Sequence, residues 1–380
     1  MTWPTAKESA LVIVSILAVL AVAEAGLRVL QYQRDGTSVW TMLPGYREST
    51  FQRSPFLPFG PRVNWTFQRS GDPSWTRFND LGLRMPGALP AREPGEVRIL
   101  AMGGSTTENV WNDLGIHWPL ALECLARSEG RADVRVLNAG MSAYSSAHSL
   151  VRYQLDLVEV EPDIVIVMHN VNDLTVTYNG AAVGAGVDPN YLVKYGGKGY
   201  TGQVDESDLV FSRLYNVLAS TVRGGKPVGA LVEETYSLAA GERMFRRNLT
   251  SLVRAIAASG AVPVLVSMPR SGDPTRVEEV RQGDGSGAGI GPLPLPERFF
   301  SDFDRFNEVV RRVAEEQGAI FIDMARTLVE HPDTFVDVVH YSTRGIRDFA
   351  RALYASESFS LPPTQGARLR QGVISCEGVL

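Results

Sequence analysis

Apolar residues fall along this chain in three textures. From Ala10 to Ala23 the run ALVIVSILAVLAVA carries no charge, and its apolar character continues past Glu24 and Arg28 to Leu30. A helix over that stretch is close to the ~20 residues needed to cross a bilayer core. Residues 32–95 are rich in Pro, Arg, Trp and Phe with no sustained period (LPGYREST, SPFLPFGPRVNW, FNDLGLRMPG), and they predict an irregular segment. From Val97 onward short apolar runs alternate with helical patterns, the mark of a parallel sheet built from strand–helix–strand units. Five strands are expected: VRILAM (97–102), VRVLNA (134–139), DIVIVMH (163–169), VPVLVSM (262–268) and AIFIDM (319–324). The helical patterns between them cover 118–130, 149–160, 242–260 and 302–318. In the last two, apolar positions recur every three or four residues, as an amphipathic helix requires.

The predicted organisation is therefore a tail (1–9), a transmembrane helix (10–31), the irregular segment (32–95), an α/β domain (96–360) and a C-terminal tail (361–380). The domain is expected to be three-layered and doubly wound around a five-stranded parallel sheet. Two interruptions break its rhythm. Residues 176–240 form an insertion with a Gly-rich start and one helix over 209–222, and residues 271–296 hold enough Gly and Pro for a mobile loop. Both leave the carboxyl ends of predicted strands, the edge of an open α/β sheet where ligands bind, so both are candidate substrate-shaping lids.

Composition narrows the classes. A net charge of -5 without any basic run leaves no footprint for nucleic acid. Two cysteines, Cys124 and Cys376, fit neither a disulfide framework nor a metal cluster, so the redox compartment stays open. Glu24 and Arg28, four apart on a helix, can pair near the end of the span and lower the cost of ending it there. The alternative to an anchor is a cleaved signal peptide, since Ala23-Glu24-Ala25 has the small-x-small form of a cleavage site. Orientation is ambiguous. Lys7 precedes the span while Arg28, Arg34 and Arg47 follow it, which favours a cytoplasmic domain, but long domains translocate largely regardless of charge.

The candidate chemistry begins at GGSTTENV, Gly103 to Val110, directly after the first strand. A phosphate loop needs GxxxxGK[ST] and a dinucleotide site GxGxxG, and neither is present. The G-x-S-x-G elbow fails as well, because Thr107 stands where its second glycine belongs. Taken alone, Ser105 marks a strand-to-helix turn. It is not alone at this edge, however: NAGMSAYSS with Gly140 follows the second strand, HNVNDL with Asn172 follows the third, and FVDVVHYSTRG with Asp337 and His340 follows the fifth.

This ordered set resembles the SGNH hydrolases, also called the GDSL esterase superfamily, whose four short blocks carry Ser, Gly, Asn and His. The resemblance spans roughly Val97 to Ser356. GGSTTE (103–108) followed by Trp118-Pro119, and the N-x-x-G-x-R pattern of Asn79 to Arg84, are similar to a membrane-anchored branch of that family. It implies a flavodoxin-like sheet with no cofactor and no metal, and it implies residue roles. Ser105 is the expected nucleophile, His340 its general base and Asp337 the acceptor that orients the imidazole. The N–H groups of Ser105 and Gly140 and the side-chain amide of Asn172 are the expected oxyanion hole. Two positions depart from the pattern: Gly104 stands where the family has Asp, and Asn170 where it has Gly two residues before Asn172.

The expected function is a membrane-anchored serine esterase or O-acyltransferase with a periplasmic domain, acting on an ester of a carbohydrate or other envelope molecule. A second reading, from another class, is a catalytically silent subunit of this fold held in a larger membrane protein complex. Geometry separates them: a competent site brings the Ser105 hydroxyl within ~3 Å of a His340 nitrogen. His169, Asn170 and Asp173 lack the spacing of a metallophosphatase site. His331 and Asp333 form a second Asp/His pair upstream of Asp337 and His340 and rank below it.

Overall fold

Continuous apolar runs bury on both faces when helices cover both sides of a parallel sheet. The computed structural model bears this out in β5 (Val97–Gly103), β6 (Val134–Asn138) and β7 (Ile164–Met168), every residue of which is buried. With β8 (Val262–Val266) and β9 (Ile320–Ile322) they make a five-stranded sheet in the order β6-β5-β7-β8-β9, parallel throughout. The structure describes residues 5–35, 51–68 (except 53, 55 and 58), 75–109 (except 86), 116–178, 214, 237–282, 293–364 (except 329) and 376–380. The expected helix over 209–222, nearly all of the 176–240 insertion and residues 283–292 lie outside the described residues.

The chain divides into two units, Met1–Ser49 with Lys198–Val228, and Thr50–Gly197 with Gly229–Leu380. In the first, α1 (Ala6–Asp35) contains a stretch, Lys7–Leu30, long and apolar enough to cross a membrane, with a mean hydropathy of 2.5 over an 18-residue window. Arg28 pairs with Glu24 at 2.7 Å, as the four-residue spacing anticipates, and Glu24 also accepts the N–H of Leu214 (2.8 Å).

In the second unit the helices follow the 3.6-residue period of their apolar positions. They are α2 (Ser105–Glu108), α3 (Trp118–Ser128), α4 (Ser146–Leu155), α5 (Val171–Thr177), α6 (Leu238–Ala258), α7 (Pro274–Gln282), α8 (Pro296–Gln317), α9 (Met324–Thr327) and α10 (Thr343–Tyr354). Phe299, Phe303, Phe306, Val310 and Val313 line the buried stripe of α8, which starts on a proline and stops at Gly318 with φ 69°. Ser342 caps α10 by accepting the N–H of Gly345 (3.1 Å).

Three expectations need correction. The loop expected over 271–296 contains the helix α7, whose Val277 is fully buried. The irregular segment carries two small antiparallel sheets, β1 (Phe51–Gln52) with β2 (Gly60–Pro61) and β3 (Trp65–Gln68) with β4 (Trp75–Phe78). It also packs into the α/β unit: Phe59 and Leu83 are fully buried, and the Arg84 N–H donates to the Asn138 carbonyl at 2.9 Å. Finally, Cys124 on α3 and Cys376 form a disulfide, with Cα atoms 5.6 Å apart across a sequence separation of 252. Two cysteines so far apart carry no spacing signature, which is why the sequence does not announce the bond.

Peptide mapping without reductant is expected to recover a Cys124–Cys376 crosslink. Its removal in a Cys124→Ala/Cys376→Ala variant is expected to lower stability by ~2–4 kcal/mol, measured by denaturant unfolding. Two free thiols in the folded, oxidised protein would contradict the pairing.

Candidate functional site

The register of β5 with β7 places Gly103 opposite Met168, so the residues that follow both strands emerge side by side at the carboxyl edge of the sheet. Ser105 opens α2 two residues after β5 ends, and Asn172 lies in the first turn of α5. The Asp337–His340 segment reaches the same place on a closed turn. Phe335 and Tyr341 bridge antiparallel, the Val336 N–H donates to the His340 carbonyl (2.8 Å), and Arg276 of α7 donates to the carbonyls of Phe335 (2.9 Å) and Asp337 (3.1 Å). The segment expected to be a mobile loop thus supplies the brace for this turn.

Ser105 Oγ stands 2.7 Å from His340 Nε2, and His340 Nδ1 stands 2.6 Å from Asp337 Oδ2. Burial pushes the Asp337 carboxyl up. The hydrogen bond and charge of His340, with the N–H groups of His340 and Val339 on Oδ1 (2.8 and 2.9 Å), outweigh it and hold the carboxyl below its ordinary value. An ionised carboxylate only accepts hydrogen bonds, so Nδ1 carries the imidazole proton and Nε2 is left to accept from the serine hydroxyl. The Ser105–His340 separation lies within the distance required of a competent nucleophile and base. His331 and Asp333 sit apart from this chain, in the turn that Thr334 closes by accepting the His331 N–H (2.8 Å).

Asn172 donates from Nδ2 to the Tyr144 carbonyl at 2.8 Å. A side chain at position 104 would crowd it, because a Cβ there would lie 2.6 Å from that nitrogen. The glycine that departs from the family pattern is therefore what admits the amide. At the other departure, Asn170 has φ -169°, outside the left-handed region that would call for glycine. Its side chain turns away to donate to the Phe303 carbonyl (3.0 Å) and Asn307 Oδ1 (2.9 Å).

Gly140 does not offer the free N–H expected of it. That N–H donates to Asn138 Oδ1 (2.9 Å), and the missing side chain instead makes room for Thr107 and the Glu108 N–H behind the nucleophile. The neighbouring turn Met141–Tyr144, closed by the Tyr144 N–H on the Met141 carbonyl (3.1 Å), has Ala143 at φ 66°. This left-handed conformation costs a residue with a Cβ ~1–2 kcal/mol. Among the described residues, no protein acceptor takes the N–H of Ala143 or of Ser105. A search for glycine cannot find Ala143, because the conformation that marks it is one alanine seldom adopts.

His169 is fully enclosed, and burial pushes its imidazole down to about 3, so it is neutral. Among the described residues no group of three or more His, Cys, Asp or Glu is gathered as metal donors. A cleft of ≈ 510 Å³ opens after β8 and β9, bordered by Arg270, Phe321 and Glu330, and neither Ser105, Asn172 nor His340 lines it.

A family model described as GDSL-like Lipase/Acylhydrolase matches residues 101–347. Among solved structures, an acetyl xylan esterase from Geobacillus stearothermophilus is 18% identical and a lipase/acylhydrolase from Enterococcus faecalis 15% identical. Each has a TM-score of 0.40, and each match covers 68% of this chain and 93% of the other. A search of curated proteins finds no match.

Two glycines of this site are expected to differ under substitution. In Gly140→Ala the new methyl meets main chain, 2.4 Å from the Glu108 nitrogen and 2.7 Å from the Thr107 carbonyl carbon, and a loss of ~1–3 kcal/mol is expected. In Gly104→Ala the first atom met is the movable Asn172 amide, and the loss is smaller. Thermal unfolding of the two variants checks the order, and equal midpoints would contradict it.

Proposed function

The chain belongs to the GDSL-like lipase/acylhydrolase family, and on that premise we propose that it is a serine ester hydrolase working through an acyl-enzyme on Ser105. The observation that carries this is the unbroken chain from Ser105 Oγ through the His340 imidazole to Asp337. As Oγ bonds to the ester carbonyl carbon, its proton passes to His340 Nε2, and Asp337 stabilises the imidazolium. The tetrahedral oxyanion is met by the N–H of Ser105 and the amide of Asn172. Ala143 N–H takes the place expected of Gly140. Collapse expels the alcohol, which leaves with the proton from His340. A second acceptor then attacks the acyl-enzyme and surrenders its own proton to the same nitrogen. If that acceptor is water the reaction is hydrolysis, and if it is a sugar hydroxyl the enzyme is an O-acyltransferase. The proposed substrate remains an ester of a carbohydrate or other envelope molecule.

In this reading α1 is a membrane anchor and the α/β unit faces an extracytoplasmic, periplasm-like compartment. The apolar span supports the first part. The Cys124–Cys376 disulfide supports the second, because such bonds persist in oxidising compartments. It weighs more than the few arginines after the span, whose influence on a long domain is small.

The purified protein is expected to label with a fluorophosphonate probe, and to lose labelling in both Ser105→Ala and His340→Ala. Asn172→Ala is expected to lower ester turnover ~100- to 1000-fold, since its side chain is one of the few donors facing the developing charge. Absence of labelling in the folded wild type would sink the proposal. Product analysis with water and sugar alcohols as competing acceptors separates hydrolysis from transfer.

A further inference from the structure

Two fully buried carboxylates flank the turn that carries Ala143, and neither belongs to the Ser105–His340–Asp337 chain. Glu108, three residues after Ser105, accepts both the N–H (2.5 Å) and the hydroxyl of Ser142 through one oxygen, Oε2. Asp173, next to Asn172, accepts the N–H of Ser146 (3.0 Å to Oδ2) and its hydroxyl (2.5 Å to Oδ1). Ser142 precedes Ala143, and Ser146 opens α4 three residues after it. The Asn172 amide holds the Tyr144 carbonyl in between. Segment 142–146 is thus gripped from both ends, by side chains on the two helices that carry the other donors. We infer that Glu108 and Asp173 are positioning residues which hold the Ala143 N–H in one frame with the Ser105 N–H and the Asn172 amide, an inference that rests on the hydrolase reading above.

Stability alone does not account for Glu108. Its Oε1 is buried with no hydrogen-bond partner among the described residues, and burial raises the carboxyl against the opposing pull of Ser142 and Arg84. An unsatisfied buried carboxylate oxygen is a costly device for stability, so its use lies in where it puts Ser142. Proton transfer falls to His340, whose Nε2 meets Ser105 Oγ, while Glu108 and Asp173 engage Ser142 and Ser146. A look-alike behind Asp173 fails at its serine: Ser149 Oγ lies 2.7 Å from His169 Nε2, but Ser149 is buried where Ser105 is partly exposed, and Asp173 stands 4.0 Å from His169 Nδ1, beyond a hydrogen bond. Ala143, in a conformation alanine resists, does not return to it unaided once the grip is released.

The test uses the full chain and p-nitrophenyl acetate, with kcat and KM measured separately and folding monitored by thermal denaturation. Glu108→Ala and Asp173→Ala are expected to lower kcat ~10- to 100-fold, the scale of a misplaced reacting group, with KM changed less than ~2-fold. Glu108→Gln and Asp173→Asn keep an acceptor oxygen and are expected to recover part of the loss. They also keep the test alive if the alanine variants do not fold. Folded variants with wild-type kcat, or with losses confined to KM, would overturn the frame while leaving the hydrolase reading in place. An inert wild type would overturn both.

Discussion

The pairing of β5 with β7 is the constraint on which the site depends. Parallel strands fix where their successors emerge, and with Gly103 opposite Met168 the helices that follow start together at one edge. Ser105 and Asn172 are then neighbours by topology, and β6 on the other side of β5 delivers the 138–146 segment to the same place. Only the Asp337–His340 turn arrives from far along the chain. Its geometry is internal, closed by the bridge between Phe335 and Tyr341 and by the N–H groups on Asp337. The scaffold thus has to deliver this turn as a piece rather than shape each residue of it.

The segment before the domain is part of this scaffold rather than a spacer. Arg84 donates to the Glu108 carbonyl at the end of the nucleophile's helix, and burial pushes its guanidinium down to about 10. Arg152 of α4 reaches back to the carbonyls of Gly82 (2.8 Å) and Leu81 (3.1 Å) while also holding the Ala139 carbonyl (2.9 Å). Phe59 packs edge-on against Tyr144 with ring centroids 5.3 Å apart, and its carbonyl accepts the Tyr144 hydroxyl (3.1 Å). Phe59 and the stretch 81–84 therefore back both the nucleophile's helix and the turn beside it.

Much of this was legible in the sequence, and what was not has physical reasons. Strand cores were plain because residues buried on both faces form unbroken apolar runs, and the resemblance of the blocks after those runs to the SGNH pattern pointed to Ser105, Asn172, Asp337 and His340. Short elements escaped. The helix α5 is seven residues long, and α7 hid behind a Gly- and Pro-rich surrounding that suggests a loop. The segment 51–85 lacks a period because its strands are two to four residues long. Gly140 attracted attention as the glycine of its block, yet its role is close packing against Thr107, while the unusual backbone belongs to an alanine. Glu108 entered only as the last letter of GGSTTE, with no sign of burial: a glutamate in a short helix looks solvated until the fold encloses it.

Gly104 and Asn172 share one space. The volume that a Cβ at residue 104 would fill is taken by the Asn172 amide, 2.6 Å away, so a side chain at residue 104 and the present seat of residue 172 exclude each other. Changes at the two positions are therefore coupled rather than additive, and the letter before the nucleophile is also a statement about the donor across from it.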